Sequence, residues 1–280
     1  MTHTLSFFLT IFFVLNFKSV AQTTEERPHF DLKKDLLLAQ FDCKTDVDDL
    51  HSVAALYSLL ENAAYKTLNY FAVAGTYGVQ NGLYVPPNPL FHKAFGDLWV
   101  DAHSERKKAI EEVFQLAKKT LLQQGTIWIA EAGQSDFSAL VVKRLLKENF
   151  PFSIKKRIHI VQHSKWNEEV TSPEVLPFLK KNISYHKIPD GNTLNNGSPC
   201  FRTPGFQKWN AIQNQSILDV WRSAVMLAHK YNGKEGRYNN EAIASKGLDF
   251  SDLSEVCWIL ELNPLKDTEA FFNRYIFEKK

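Results

Sequence analysis

The stretch Leu36-Leu37-Leu38-Ala39-Gln40-Phe41-Asp42-Cys43-Lys44-Thr45-Asp46-Val47-Asp48-Asp49-Leu50 carries two patterns in succession. Its first six residues are almost wholly apolar, as in a strand buried on both faces. From Leu50 onward apolar residues recur at Val53, Ala54, Tyr57 and Leu60, the spacing of one helix face. Between them lie Asp42, Asp46, Asp48 and Asp49, so an acidic loop joins a strand end to a helix start.

The same alternation continues outward. Residues 68–75 read as a second strand, 126–130 as a third, 157–162 as a fourth and 183–188 as a fifth. Helical spacing appears over 104–123, from Phe137 to Leu145, from Pro173 onward and over 217–229. Gly, Pro and Asn mark 78–89 as a loop, and 190–215 as a long irregular excursion expected to act as a lid. The order predicts an α/β fold, Rossmann-like, with a mostly parallel central sheet and helices on both faces. In such sheets ligands bind beyond the carboxyl ends of the strands, which is where the acidic loop falls.

Charge and composition narrow the function classes. Lys and Arg total 33 against 31 Asp and Glu, a formal charge of +2, which excludes a nucleic-acid binder working by bulk electrostatics. Apolar residues at 44% and charged residues at 23% exclude a disordered chain and a multi-span membrane protein. The apolar run from Leu5 to Phe17, followed by Ser19-Val20-Ala21 and then polar residues, reads as a signal peptide over 1–21. An uncleaved N-terminal anchor is the alternative, because the first residues lack positive charge. Cleavage leaves a single domain over 22–280, periplasmic or secreted, with no stable membrane association. Three cysteines, Cys43, Cys200 and Cys257, are too few and too scattered for a disulfide framework, and Cys257 sits in the apolar run Val256-Cys257-Trp258-Ile259-Leu260.

One Asp at a helix start is an ordinary cap. Four within eight residues repel one another and raise one another's pKa unless a cation neutralises them, and a hard divalent ion with oxygen ligands does so. An EF-hand loop starting at Asp42 fails at Lys44, Val47 and Val53. A phosphotransferase loop of the Asp-x-Asp-x-Thr type fails at Lys44 and Asp46.

Asp42 at the strand end, with the pair Asp48-Asp49 opening the helix, resembles the first loop of the inosine/uridine-preferring nucleoside hydrolases in a divergent form. Matched to the family's second Asp, Asp42 is followed by a loop two residues longer, with Cys43-Lys44-Thr45-Asp46 in place of Pro-Gly. In the other register Lys44 stands where a metal-binding Asp belongs. Further along, Ile127-Trp128-Ile129-Ala130-Glu131-Ala132-Gly133 is similar to the family's third strand, and Ile158 to His163 with Trp166-Asn167-Glu168 to its fourth strand and sugar-contacting loop. Ser251-Asp252 stands for a late His-Asp segment, with Ser251 in place of the His.

The resemblance implies hydrolysis of an N-glycosidic bond in a ribonucleoside or related small riboside, with calcium (Ca2+) as cofactor. It implies metal ligation by Asp42, Asp49, Asp252 and the Ala132 carbonyl, and Asp42 as general base. Asp48 would bind ribose hydroxyls, Trp166 and Asn167 would contact substrate, and His163 is the candidate for the leaving-group acid. Tyr77, Tyr84, Trp99 and Trp166 fall in or near the loops around such a site, with packing expected for Trp99. Asp101 and His103 read as solvated surface. Lys44 and Ser251 favour the alternative, a catalytically impaired nucleoside- or carbohydrate-binding protein of the same fold. The expected partner is a small molecule, and the sequence leaves a homo-oligomer open.

Overall fold

Residues 36–41 form strand β1 (Leu36–Phe41), and all six are buried. Layers on both faces leave no wet side, which is why alternation is missing from its sequence. Burial of Leu36, Leu37 and Leu38 contributes on the order of 1.5–3 kcal/mol each. The computed structural model describes residues 27–262 and 264–277, so the expected signal peptide, residues 1–21, lies outside the described residues.

From β1 the chain passes through α1 (Asp48–Leu60), β2 (Tyr70–Ala74), α2 (Asn88–Phe95), β3 (Trp99–Asp101), α3 (Arg106–Leu122), β4 (Ile127–Ala132) and α4 (Asp136–Leu145). It continues through β5 (Ile158–Gln162), α5 (Lys165–Val170), α6 (Val175–Asn182), β6 (Ser184–Lys187), β7 (Arg202–Thr203) and α7 (Gln215–Tyr231). Last come α8 (Glu241–Ala244), β8 (Leu248–Asp249), α9 (Ser254–Ile259) and α10 (Thr268–Phe272).

Six strands form one parallel sheet in the order β3-β2-β1-β4-β5-β6. Leu37, Ala39 and Phe41 face a core shared with α1, α2, α7, α9 and α10. Leu36 and Leu38 face the opposite core, built with α3, α4 and α6. The expected α/β architecture with helices on both faces is present. Strand order turns back on itself between β1 and β4, so a crevice opens beyond their carboxyl ends, at Phe41 and its register partner Ala132.

Three local expectations are corrected. The segment between β2 and α3 contains α2 and the three-residue edge strand β3, the latter too short to show periodicity. Trp166-Asn167-Glu168 is helical, within α5, whose first turn is capped by Ser164 Oγ accepting from the Trp166 N–H at 3.2 Å. The stretch 190–215 is not a free lid. β7 pairs antiparallel with β8, Phe201 and Phe206 are buried, and the Phe201 ring stacks on Phe250 at 4.5 Å; from this stretch Asn192 and Arg202 line the crevice. Among the described residues no helix is long and apolar enough to cross a membrane. Cys43, Cys200 and Cys257 are buried free thiols.

Candidate metal and catalytic site

Beyond the carboxyl ends of β1, β4 and β5 lies a cavity of about 340 Å³, in the size range of small-molecule sites. Asp42, Asp48, Asp49, Ala132, His163, Trp166, Asn167 and Asp252, all singled out from sequence, line it.

Ligand oxygens of Asp48, Asp49 and Asp252 lie within 4.8 Å of one another. Asp48 and Asp49 stand in the first turn of α1, where unpaired N–H groups favour negative charge. Asp252 arrives from the turn Ser251–Leu253 just before α9. Asp49 is 3% exposed, and its Oδ1 has no hydrogen-bond partner among the described residues. Burial, then the neighbouring acids, holds the carboxyls of Asp48 and Asp49 well above the ordinary carboxylate range. Burial does the same to Asp252, partly opposed by His163. A buried oxygen without a donor beside two further acids fits a hard cation held by oxygen.

Asp42 lines the same cavity beside this triad, close enough that its charge acts on Asp49. The Asp42 Oδ1 accepts from the Lys44 N–H at 3.0 Å, and burial, with Asp46 adding repulsion, raises its pKa to about 7. The Ala132 carbonyl already accepts the Asp42 N–H at 3.1 Å, which leaves one lone pair for another partner. Asp46 is likewise raised to about 7, by burial and by Asp249.

Lys44 lines the cavity, with its ammonium over the Tyr77 ring. Its Nζ lies 4.0 Å from the centre of the Tyr77 ring, and burial lowers its pKa against the pull of Asp42. The Tyr77 hydroxyl and His103 Nδ1 are 2.6 Å apart, and the Tyr84 ring stacks on His103 at 3.9 Å. Tyr77 and Tyr84 thus back Lys44 rather than line the cavity. Trp99 packs on Phe91 as expected. Asp101 is not solvated surface. It is buried and accepts from Asn88 Nδ2 at 2.8 Å and from the N–H groups of His103 and Ser104 at 2.8 and 2.9 Å.

His163, at the end of β5, is 2% exposed. Its main-chain N–H and Nδ1 both donate to Glu255 Oε1, at 2.8 and 2.7 Å. Burial works against its charge, but the Glu255 carboxylate outweighs burial and lifts the pKa to about 9. The contact with Glu255 thus favours the charged imidazolium. Ser251, where the late His was expected, is fully buried and donates its hydroxyl to Asp249 Oδ1 at 2.9 Å, outside the cavity.

Sequence reading missed Glu255, Arg202, Tyr238 and Asn192, the last three of which line the cavity. Glu255 had one visible signal, an acid entering the apolar run Val256-Cys257-Trp258. Asn192 and Arg202 come from the irregular stretch and Tyr238 from the loop between α7 and α8, where no period marks them. Comparison with protein-family models, with curated proteins and with solved structures finds no match for this chain.

Proposed function

We propose that this chain is an exported, calcium-dependent hydrolase that cleaves the N-glycosidic bond of a ribonucleoside or a related small riboside. One observation carries the reading. Asp48, Asp49 and Asp252 converge at the strand-order reversal with an unpartnered buried Asp49 oxygen, and Asp42 and His163 line the same cavity.

Asp48, Asp49 and Asp252 would hold the ion, and the free lone pair of the Ala132 carbonyl offers a fourth oxygen. When bound, calcium supplies positive charge that acidifies a water and attracts ribose hydroxyls. Asp42, titrating near neutrality, accepts the water's proton. Negative charge on the triad and Asp46 favours the positive charge that develops on the sugar as the base departs. His163 stands as a charged donor for the leaving base. Trp166, 60% exposed at the cavity mouth, offers a ring to stack on it.

Incubating residues 22–280 with inosine, uridine and adenosine, with calcium or with a chelator, tests the reading. Free base released only with calcium, and lost in Asp42→Ala, supports it. A second reading, a binding protein without turnover, is favoured by Lys44 turned onto Tyr77 and by Ser251 locked to Asp249. Calcium-dependent ligand binding without release of base would select it.

A further inference from the structure

The Glu255 grip on His163 is directional. One carboxylate oxygen takes two hydrogen bonds from the same residue, so both the backbone and the ring of His163 are fixed. Nδ1 is committed as a donor to Glu255, which leaves Nε2 as the ring nitrogen that faces the cavity. Nε2 has no hydrogen-bond partner among the described residues. Its nearest acid oxygen, Asp190 Oδ1, stands at 4.0 Å, beyond hydrogen-bond range. That oxygen already accepts from the N–H and Nδ2 of Asn192, at 2.9 and 3.1 Å. Glu255 itself is fully buried, and its Oε2 is unpartnered among the described residues. A buried ion pair is weak evidence for stability, since apolar side chains of similar volume often serve as well. Here the pair ends in a free donor aimed at a polar cavity.

From this geometry we infer that Glu255 is the positioning residue for the leaving-group acid, that His163 delivers its Nε2 proton, and that His163, Trp166, Asn167 and Asn192 form the leaving-group wall. The inference rests on the hydrolase reading above and narrows its substrate class to ribosides whose departing base needs a proton, as purines and pyrimidines do. In the step, the C–N bond breaks and its electron pair stays with the base. The Nε2 proton passes to a ring nitrogen of that base. Water forms the new C–O bond at the anomeric carbon and gives its proton to Asp42. His163 is left neutral with its proton on Nδ1, held by Glu255, and regains the Nε2 proton as Asp42 releases its own through solvent. The buried carboxylate thus fixes ring orientation and supports the charged form, the role a buried acid plays behind histidine in hydrolytic triads.

The test compares inosine with p-nitrophenyl riboside, whose phenolate leaves without a proton, in wild type, Glu255→Gln, Glu255→Asp and His163→Gln. In calcium, Glu255→Gln and His163→Gln are expected to lower kcat on inosine by about a hundredfold or more. On the nitrophenyl riboside the loss is expected to be much smaller, with KM little changed, and Glu255→Asp keeps more inosine activity than Glu255→Gln. If Glu255→Gln does not fold, His163→Gln makes the same comparison alone. Equal losses on both substrates overturn the inference while leaving the hydrolase reading intact. A wild type that cleaves neither riboside overturns that reading, and the inference with it.

Discussion

Asp42 and Gly133 are fitted to each other: a Cβ placed on residue 133 would stand 2.4 Å from Asp42 Oδ2, and Gly133 adopts φ +119°. The ends of β1 and β4 approach so closely at the strand-order reversal that only a residue without a side chain lets the Asp42 carboxylate keep its place. Gly133→Ala therefore displaces Asp42 and strains the backbone. It is expected to destabilise the fold by about 1–3 kcal/mol, and to lower hydrolysis beyond what the lost stability explains. Urea unfolding alongside base-release rates checks this. A variant with unchanged stability and rate would contradict the fit.

Asp49 is costly without a cation, because its carboxyl is buried and one oxygen is unpartnered. Asp49→Asn relieves that cost, so in chelator the variant is expected to melt at or above the wild-type Tm. With calcium the order reverses, because only the wild type gains binding energy, about 2.7 kcal/mol at a calcium concentration one hundred times Kd. Thermal unfolding of both proteins in chelator and in calcium reads the crossing. Equal calcium shifts in the two proteins would exclude Asp49 as a ligand.

The acid cluster also sets a pH dependence. Asp42 and Asp46 titrate at about 7 in the folded chain against an ordinary 3.8, chiefly because burial disfavours their charge. Between those values the folded chain holds protons that the unfolded chain has released, so without cation stability falls as pH rises from about 4 to 7. His51 runs the other way. Burial depresses its pKa to about 3 from an ordinary 6.5, so its share of stability grows as pH rises through that window. Subtracting the Tm in chelator from that in calcium cancels the His51 contribution. The calcium-induced rise in Tm is therefore expected to be larger at pH 8 than at pH 5, and a rise of equal size at both would contradict the account.

Behind the cavity, Glu131 on β4 is fully buried, and burial holds its carboxyl well above the ordinary range. Ser138 Oγ lies 2.5 Å from Glu131 Oε2 and 3.0 Å from Gln40 Oε1. A hydroxyl has one proton, so Ser138 gives it to one of these two side chains and takes a hydrogen bond from the other. Glu131→Gln keeps a donor and the shape, and is expected to change stability by less than about 1 kcal/mol, whereas Glu131→Ala strands Ser138 and leaves a void. Denaturant unfolding of the two variants separates them, and equal losses would show that Glu131 is ionised.

Where local pattern and tertiary role coincided, the sequence was readable. β1 showed as an apolar run because both of its faces are covered, and the acids from Asp42 to Asp49 stood out by their density. Asp252 and Ala132 were reached through family resemblance, and they do line the same cavity. That Asp48 closes up with Asp49 and Asp252 was not legible, because it depends on how the chain turns between β1 and α1, with Cys43 at positive φ and Lys44 drawn to Tyr77. β3 and α5 were missed because three to six residues are too few to establish a period. Glu255 reaches His163 across 92 positions of chain, a pairing that no local spacing encodes.

Calcium titration calorimetry on residues 22–280, with wild type, Asp49→Asn and Asp252→Asn run at one pH near 8, addresses the triad most directly. The account predicts one calcium per wild-type chain and a large loss of affinity in each variant. A wild type that takes up no calcium, or variants that bind it as tightly as the wild type, would contradict it.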